Sequence, residues 1–461
     1  MRKVLLYICS VFILGGMTSC EDFLDKREDV GLTEDDIFRD YYSLRGFLDQ
    51  SFNQLENVMV MDNWENGRAF VGLFADEMAT TDNSSAVFTL HSGNWLSNAK
   101  SNKTFEIGNA GSTAISRSYK ALRINNRIIN DIDKAPLTPE QKNEILGQAY
   151  FYRSWFYFQI IKRYGGMPII DKVFEGGDDD IPRMTYHESH DWMMEDIQKA
   201  IYMLPDSWDD PNYGRPTKIA AMALKEWAQL FDASPLMQND LNSTENKGYD
   251  TERAKSAAKS AYEVIRYMDG SKSAPYPYGL ASKEEYTNVF YFKYPPVHQP
   301  EYIWVKRQFP NAANQNQKRT IRTFWQYEDL AFGSGPDGNS MCCPSLNIVN
   351  MFDKKGADGI YYPIDDPRSG YALDYDHKPF EDRDPRFYNN ILLPGTTWGH
   401  YADGRTYYIT TYKGGAAYQH MLTQKDCNKR MFTGFMCKKF MWPECNQYLE
   451  KNNPNCWWDY R

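Results

Sequence analysis

The stretch Gly147–Ile170 reads GQAYFYRSWFYFQIIKRYGGMPII, and seven of the nine residues from Tyr150 to Phe158 are aromatic. Rings this dense can form a stacking platform for sugars or bases, a membrane-contacting surface, or the interior of a helical packing unit. Helical spacing separates these readings. On a helix, Leu146, Tyr150, Phe151, Trp155 and Phe158 share one apolar face, while Ala149, Tyr152, Phe156 and Ile160 share another. A platform needs its rings on an open loop or groove, whereas a helix that is apolar on several sides must be covered on several sides. The pattern therefore predicts a middle helix of a helical array with its rings in the core. Thr138 before Pro139 starts it, and Gly165-Gly166 with Pro168 stops it after Tyr164.

Working outward, the same periodicity predicts helices over about Glu34–Met59, Ala114–Asp133, Pro139–Tyr164, Tyr186–Leu204, Thr217–Ala233 and Thr251–Met268. Thr33, with Asp36 three residues on, reads as a capping box. Paired helices joined by turns suggest a mostly α fold, a degenerate array of the tetratricopeptide type without a strict 34-residue consensus. After about residue 270 the chain turns rich in Pro, Tyr and Gly, with short β-branched runs such as EYIWVKRQF and TYYITTYKGG. A long loop-rich segment with a few short strands is expected there, packed on the array as one body.

The first twenty residues, MRKVLLYICSVFILGGMTSC, combine a basic start at Arg2 and Lys3 with an apolar run from Val4 to Leu14. The run is shorter than the ~20 residues that span a bilayer and sits where a signal peptide belongs. Met17-Thr18-Ser19-Cys20 resembles a bacterial lipobox, which makes Cys20 the expected lipid attachment point and residues 1–19 a cleaved signal peptide. Losing Arg2 and Lys3 takes the net charge from −9 to −11. Such a surface repels phosphate backbones, and no basic cluster interleaved with aromatics appears, so no nucleic-acid partner is expected. With no second long apolar run, one acyl-anchored soluble body is the expectation. Six cysteines would remain, Cys342 and Cys343 adjacent and Cys427, Cys437, Cys445 and Cys456 near the end, without C-x-x-C spacing. That spacing argues against zinc and leaves disulfide and buried thiol both open.

Catalytic signatures are weak. GSGPDG at Gly333–Gly338 satisfies G-x-G-x-x-G, yet Pro336 falls where a helix should open and no strand-turn-helix unit surrounds it, so a glycine-rich turn is the better reading. HESH sets His187 and His190 three apart, one residue short of the zinc-protease spacing, and reads as the polar first turn of a helix. Asp178-Asp179-Asp180 and Asp365-Asp366 read as solvated turns. Structural calcium is left open at such clusters, although the alternating acidic calcium loop is missing. No cofactor is expected.

Several ordered segments together resemble the SusD/RagB family, surface glycan-binding lipoproteins of Bacteroidota. CEDFLDK at Cys20 resembles the family's start after the lipobox. The opening stretch is similar to the family helix through Arg153, Tyr157 and Tyr164-Gly165-Gly166. GRPTKIAAMALKEWAQLFDASPL at Gly214–Leu236 resembles a second segment. PSLNIVNMFDKKGADG and RDPRFYNNIL resemble two later ones, with Asn350 where the family often has Asp. The resemblance implies a single domain over 20–461, a helical repeat part over about 20–270 and a loop-rich part over about 271–461. It implies no enzymatic activity. It further implies an outer-membrane, surface-exposed lipoprotein that binds an oligosaccharide and sits on a SusC-like TonB-dependent transporter. A family helix that follows the segment similar to TGFMCKKF is not matched before CWWDYR, so C-terminal helices are expected to be missing and the chain less stable than an extended one.

Sugar binding asks for rings offered to C–H groups with Asn, Asp, Arg or Gln nearby for hydroxyls. Two loops fit, DNWENGRAF with HSGNWLSNAK, and RTFWQYEDLAFGSGPDGN. They nominate Trp64, Asn94, Trp95, Asn98, Arg322, Trp325 and Tyr327 as carbohydrate-binding residues. The competing functions are a lipid-anchored glycoside hydrolase, which needs a carboxylate pair roughly 5 to 10 Å apart in a cleft, and a helical scaffold that binds only protein.

Overall fold

The computed structural model describes residues 33–55, 60–61, 69–70, 75–80, 114–174, 180–238, 247–271, 277–290, 299–306, 342–374, 378–400, 406–415, 418 and 433–439. The chain opens with α1 (Glu34–Phe38) and α2 (Tyr41–Asn53) in place of the single helix expected over Glu34–Met59. Asp40 makes the break. Its backbone is extended and its carboxylate accepts from the Ser43 amide at 2.8 Å, which starts a new helix. Phe38, Leu44 and Leu48 nevertheless enter one core, so apolar spacing runs across the break and hides it.

The array continues with α3 (Ala114–Asp131), α4 (Pro139–Tyr164), α5 (Tyr186–Met203), α6 (Lys218–Asp232) and α7 (Thr251–Gly270). A 3-10 turn over Ile132–Lys134 ends the segment read as helix to Asp133. Thr138 and Thr185 each form a complete capping box, with Gln141 and Glu188. From α2 to α7, with α2 resting on α3, each helix packs against the next along the chain, the arrangement of antiparallel helical hairpins.

α4 lies at the centre, and Phe151, Tyr152, Phe156, Tyr157, Phe158 and Ile160 are each at most 1% exposed. The ring-dense stretch is core, as its spacing predicts. Tyr150 and Trp155 are the departures, half-buried at the edge of the cluster. Trp155 stacks on Phe151 and meets Trp304 edge-on at 4.9 Å.

Trp304 belongs to the run EYIWVKRQF, expected as a strand. Residues 301–305 are not a strand; they clip onto the array instead. Tyr302 and Val305 are buried with Val289, the Tyr302 hydroxyl donates to the Val289 carbonyl at 2.7 Å, and the Trp304 indole donates to the Gly214 carbonyl at 3.0 Å. The alternation of large residues serves packing rather than a ladder.

The rest is built from short pieces: α8 (Leu346–Met351), α9 (Tyr371–Asp374), α10 (Pro385–Asn390) and two-stranded antiparallel ribbons. The ribbons pair β1 (Val60–Met61) with β2 (Ala69–Phe70), and β3 (Met78–Thr80) with β4 (Cys342–Pro344). They also pair β5 (Lys354–Lys355) with β6 (Tyr361–Tyr362), and β7 (Ile391–Leu392) with β10 (Met436–Cys437). In the last, β8 (Thr397–His400) pairs with β9 (Thr406–Tyr408), the strand expected in TYYITTYKGG. A second core of Val349, Phe387, Ile391, Leu393 and Phe435 holds this region, with Phe352 and Phe380 against it.

Candidate functional site

The structure uses the polar residues of the ring-dense stretch and of the GRPTK segment internally. Arg153 on α4 is 4% exposed and grips Asp196 on α5, 2% exposed, through two bonds of 2.5 and 2.8 Å. Its third contact is the Asn126 side-chain oxygen at 3.0 Å, while the Asn126 amide donates to the carbonyls of Ile170 and Lys172. Trp192 and Tyr150 cover the guanidinium at 5.2 and 5.5 Å. No face of this pair is left for a ligand. Burial also pushes the phenols of Tyr152 and Tyr157 upward, and the Tyr157 hydroxyl donates to the carbonyl of Met167 or Pro168.

The Gly165-Gly166 pair makes that turn feasible. Gly165 sits at φ 77°, and a Cβ on Gly166 would lie 2.0 Å from the Met184 carbonyl oxygen. Arg215, of the GRPTK segment, binds Asp49 on α2 through two bonds of 2.6 and 2.8 Å and reaches Gln148 on α4 at 3.0 Å. It ties the start of α6 to two earlier helices. In HESH, His187 lies in the first turn of α5 and His190 just beyond it, and their environment was not readable from spacing. His187 Nδ1 stands 2.7 Å from Asp232 of α6, which also takes Arg253 of α7, and His190 is buried with its Nδ1 2.9 Å from Asp191. The His190 contact holds the Asp191 carboxyl below its ordinary value.

Two open surfaces among the described residues carry exposed rings. A groove of about 710 Å³ runs along α5, lined by Asp191, Met194, Glu195, Gln198, Lys199, Tyr202 and Met203. Its Tyr202 ring is 83% exposed. The groove surface is mostly apolar, since the Asp191 carboxylate is taken by His190 and Arg253 and the Lys199 ammonium by Asp196. The second surface is the tryptophan edge of α4 and α6, where Trp227 is 40% exposed, tilted 5.9 Å from Trp155, with the Lys162 ammonium 4.5 Å over its ring. Glu226 beside it has its carboxyl pushed up by burial. Neither surface was nominated from sequence, because sugar-binding residues were sought in loops outside the helices.

The residues that were nominated, Trp64, Asn94, Trp95, Asn98, Arg322, Trp325 and Tyr327, all lie outside the described residues, as does Cys20. The GSGPDG turn and Asp178-Asp179 lie outside them too. Asp366 accepts from the Arg368 amide at 2.9 Å and starts a 3-10 turn, the structural use expected of Asp365-Asp366. Among the described residues, no group of three His, Cys, Asp or Glu side chains is placed to hold a metal ion, and no helix is long and apolar enough to cross a membrane.

Comparison with known proteins adds what the geometry leaves out. Residues 22–226 match a profile described as "Starch-binding associating with outer membrane", of SusD-like type, and residues 300–461 match the SusD family profile, together about four-fifths of the chain. A SusD-like protein from Bacteroides fragilis superposes with a TM-score of 0.60 at 20% identity, covering 88% of this chain and 69% of that one. A SusD-like carbohydrate-binding protein from the same species gives a TM-score of 0.61 at 16% identity, covering 91% and 70%. At such identities the likeness concerns the fold. No curated protein matches the chain.

Proposed function

Because the chain belongs to the SusD/RagB family, we propose that it is an outer-membrane lipoprotein that binds oligosaccharides and passes them to a SusC-like TonB-dependent transporter. The observation that carries this reading is the pair of profile matches over 22–226 and 300–461, the first described as starch-binding and associated with the outer membrane. Supporting it is the leader that ends in Met17-Thr18-Ser19-Cys20, with Cys20 as the acylated residue that holds the protein at the cell surface. The protein acts by binding, without chemistry on the glycan. A single domain over 20–461 carries both the helical part and the loops.

Sugar contact is assigned to Trp95 and Trp325, supported by Trp64, Tyr327, Asn94, Asn98 and Arg322. Aromatic faces provide most of the apolar contact in such a site, and truncating a central ring costs ~2 kcal/mol, roughly a thirtyfold loss of affinity. A glycan array selects the ligand, and calorimetric titration then compares the wild type with Trp95→Ala and Trp325→Ala. Both variants should fold and bind about thirtyfold more weakly, whereas Phe158→Ala, whose ring is fully buried, should lose the fold. Unchanged affinity in both loop variants moves the site, with the α5 groove next to test through Tyr202→Ala. Release of shorter sugars during the titration would favour the hydrolase reading. Palmitate-analogue labelling that is equal in wild type and Cys20→Ala would remove the anchor.

A further inference from the structure

We propose that Cys343 and Cys437 are joined by a disulfide bond in the mature protein. Cys343 lies in β4 opposite Ala79 of β3, and Cys437 lies in β10 opposite Ile391 of β7. The two ribbons share no ladder of hydrogen bonds, yet they meet closely. Every Cα of β4 lies within 8 Å of every Cα of β10, so the two cysteine Cα atoms are no farther apart than that. A disulfide spans Cα separations of about 4.4 to 6.8 Å, so the Cα separation lies within about 1.2 Å of that range.

Cys343 is buried and Cys437 is half-buried. Cys343 is 2% exposed, and Cys437 Sγ lies 3.5 Å from the Lys439 carbonyl oxygen. Both are thiols in this structure. Burial pushes the Cys437 thiol up to about 12, and Cys343 adds to the push. A thiol held that high is not a nucleophile at neutral pH, because exchange runs through the thiolate. The bond therefore forms while the chain folds, before the ribbons close over it.

The chemistry is thiol–disulfide exchange. The thiolate of one cysteine attacks a sulfur of a disulfide oxidant, either glutathione disulfide or a protein disulfide oxidoreductase, and expels one thiolate. The second cysteine then displaces the other half from the mixed disulfide. Two protons leave the cysteines, two electrons reduce the oxidant to two thiols, and one S–S bond remains.

The claim for the mature protein rests on the export reading above, since an oxidising compartment is where such a bond persists. The test separates the two. The full chain is unfolded and reduced, then refolded in a buffer of reduced and oxidised glutathione, digested without reductant and mapped by mass spectrometry. Chain secreted with its own leader is mapped in parallel. A linked peptide pair carrying Cys343 and Cys437 is expected from both. Alkylation of both thiols in the refolded chain, or linkage of Cys437 to Cys342, Cys427, Cys445 or Cys456, overturns the proposal. Linkage after refolding with thiols in the secreted chain overturns the export reading instead, and with it the claim for the mature protein. Cys437→Ser should lower the melting temperature by about 5 °C more without reductant than with it. Cys342→Ser should show no such difference, and an equal drop for Cys437→Ser in both conditions would mean the residue only packs.

Discussion

Two buried arginines show how differently the halves of this molecule are held. In the helical array, Arg153 is neutralised by Asp196 and takes one side-chain oxygen besides. In the loop-rich part, Arg383 is 1% exposed and its guanidinium donates to backbone carbonyls only, those of Val349, Phe352 and Pro379, at 2.6 to 3.2 Å. The difference follows from what each region has to offer. Inside long helices, carbonyls are committed to the helix ladder, so a buried cation needs a side-chain anion. At the end of a helix as short as α8, the last carbonyls have no partner along the chain, and a cation can collect them. One arginine joins helices, and the other ends one. Desolvation lowers the pKa of Arg383, and the rings of Phe387 and Tyr371 at 5.0 and 5.5 Å return part of that cost.

This contrast can be broken by substitution. The largest effect is expected from Asp196→Ala, which leaves the Arg153 charge buried without its anion and should cost about 4 kcal/mol in denaturant titration. The double variant Arg153→Leu with Asp196→Leu should recover at least half of that loss. Equal losses in the single and double variants would mean that packing, not charge, sets the cost. Arg383→Met keeps most of the volume while orphaning the α8 carbonyls, and should cost about 3 kcal/mol. No double variant can rescue it, since its partners are backbone. The expected signature is local, with faster amide exchange across 346–352 and protection retained on α4.

The smallest effect sharpens the comparison through pH. Asp384 caps α10, and its carboxyl is held below the ordinary value first by the Arg386 side chain and also by the Arg386 amide. A depressed carboxyl adds stability that is fully present above its unfolded value, near 3.8, and disappears as pH falls through its lower folded value. Asp384→Asn keeps a competent cap and removes the charge. It should be less stable than wild type by under about 1 kcal/mol at pH 6, since Arg386 is largely exposed, and the gap should close below pH 3.8. A gap that persists in acid would assign the effect to the cap.

The array was legible because its signals are local. The bounds of α4, Pro139–Tyr164, follow from Thr138 and Gly165 alone, and those of α3 and α5 to α7 come within two residues of the expected ones. The break at Asp40 was missed because Phe38 and Leu44 sit on the same core on either side of it. The clip formed by Tyr302 and Trp304 was missed because alternation of large residues looks alike in a strand and in a segment laid across helices. Long-range polar partners were not legible at all. Nothing near Arg153 announces Asp196, and nothing near His187 announces Asp232. The α5 groove escaped as well, since Gln198 and Tyr202 lie on a helix and sugar contacts were sought in loops.

One pairing has a consequence for how the chain reaches this form. β3 at Met78–Thr80 waits for β4 at Cys342–Pro344, and the Ser345 amide then donates to Glu77 at 2.9 Å. The two strands lie more than 260 residues apart along the chain, so their pairing carries a loop-closure cost that neighbouring helices do not. Helices α3 to α7 need only their sequence neighbours and form first. The ribbon is thus a late, non-local step laid over an early, local one. Chaperones and proteases meet a chain whose helices are already assembled while the strand at Met78–Thr80 is still unpaired.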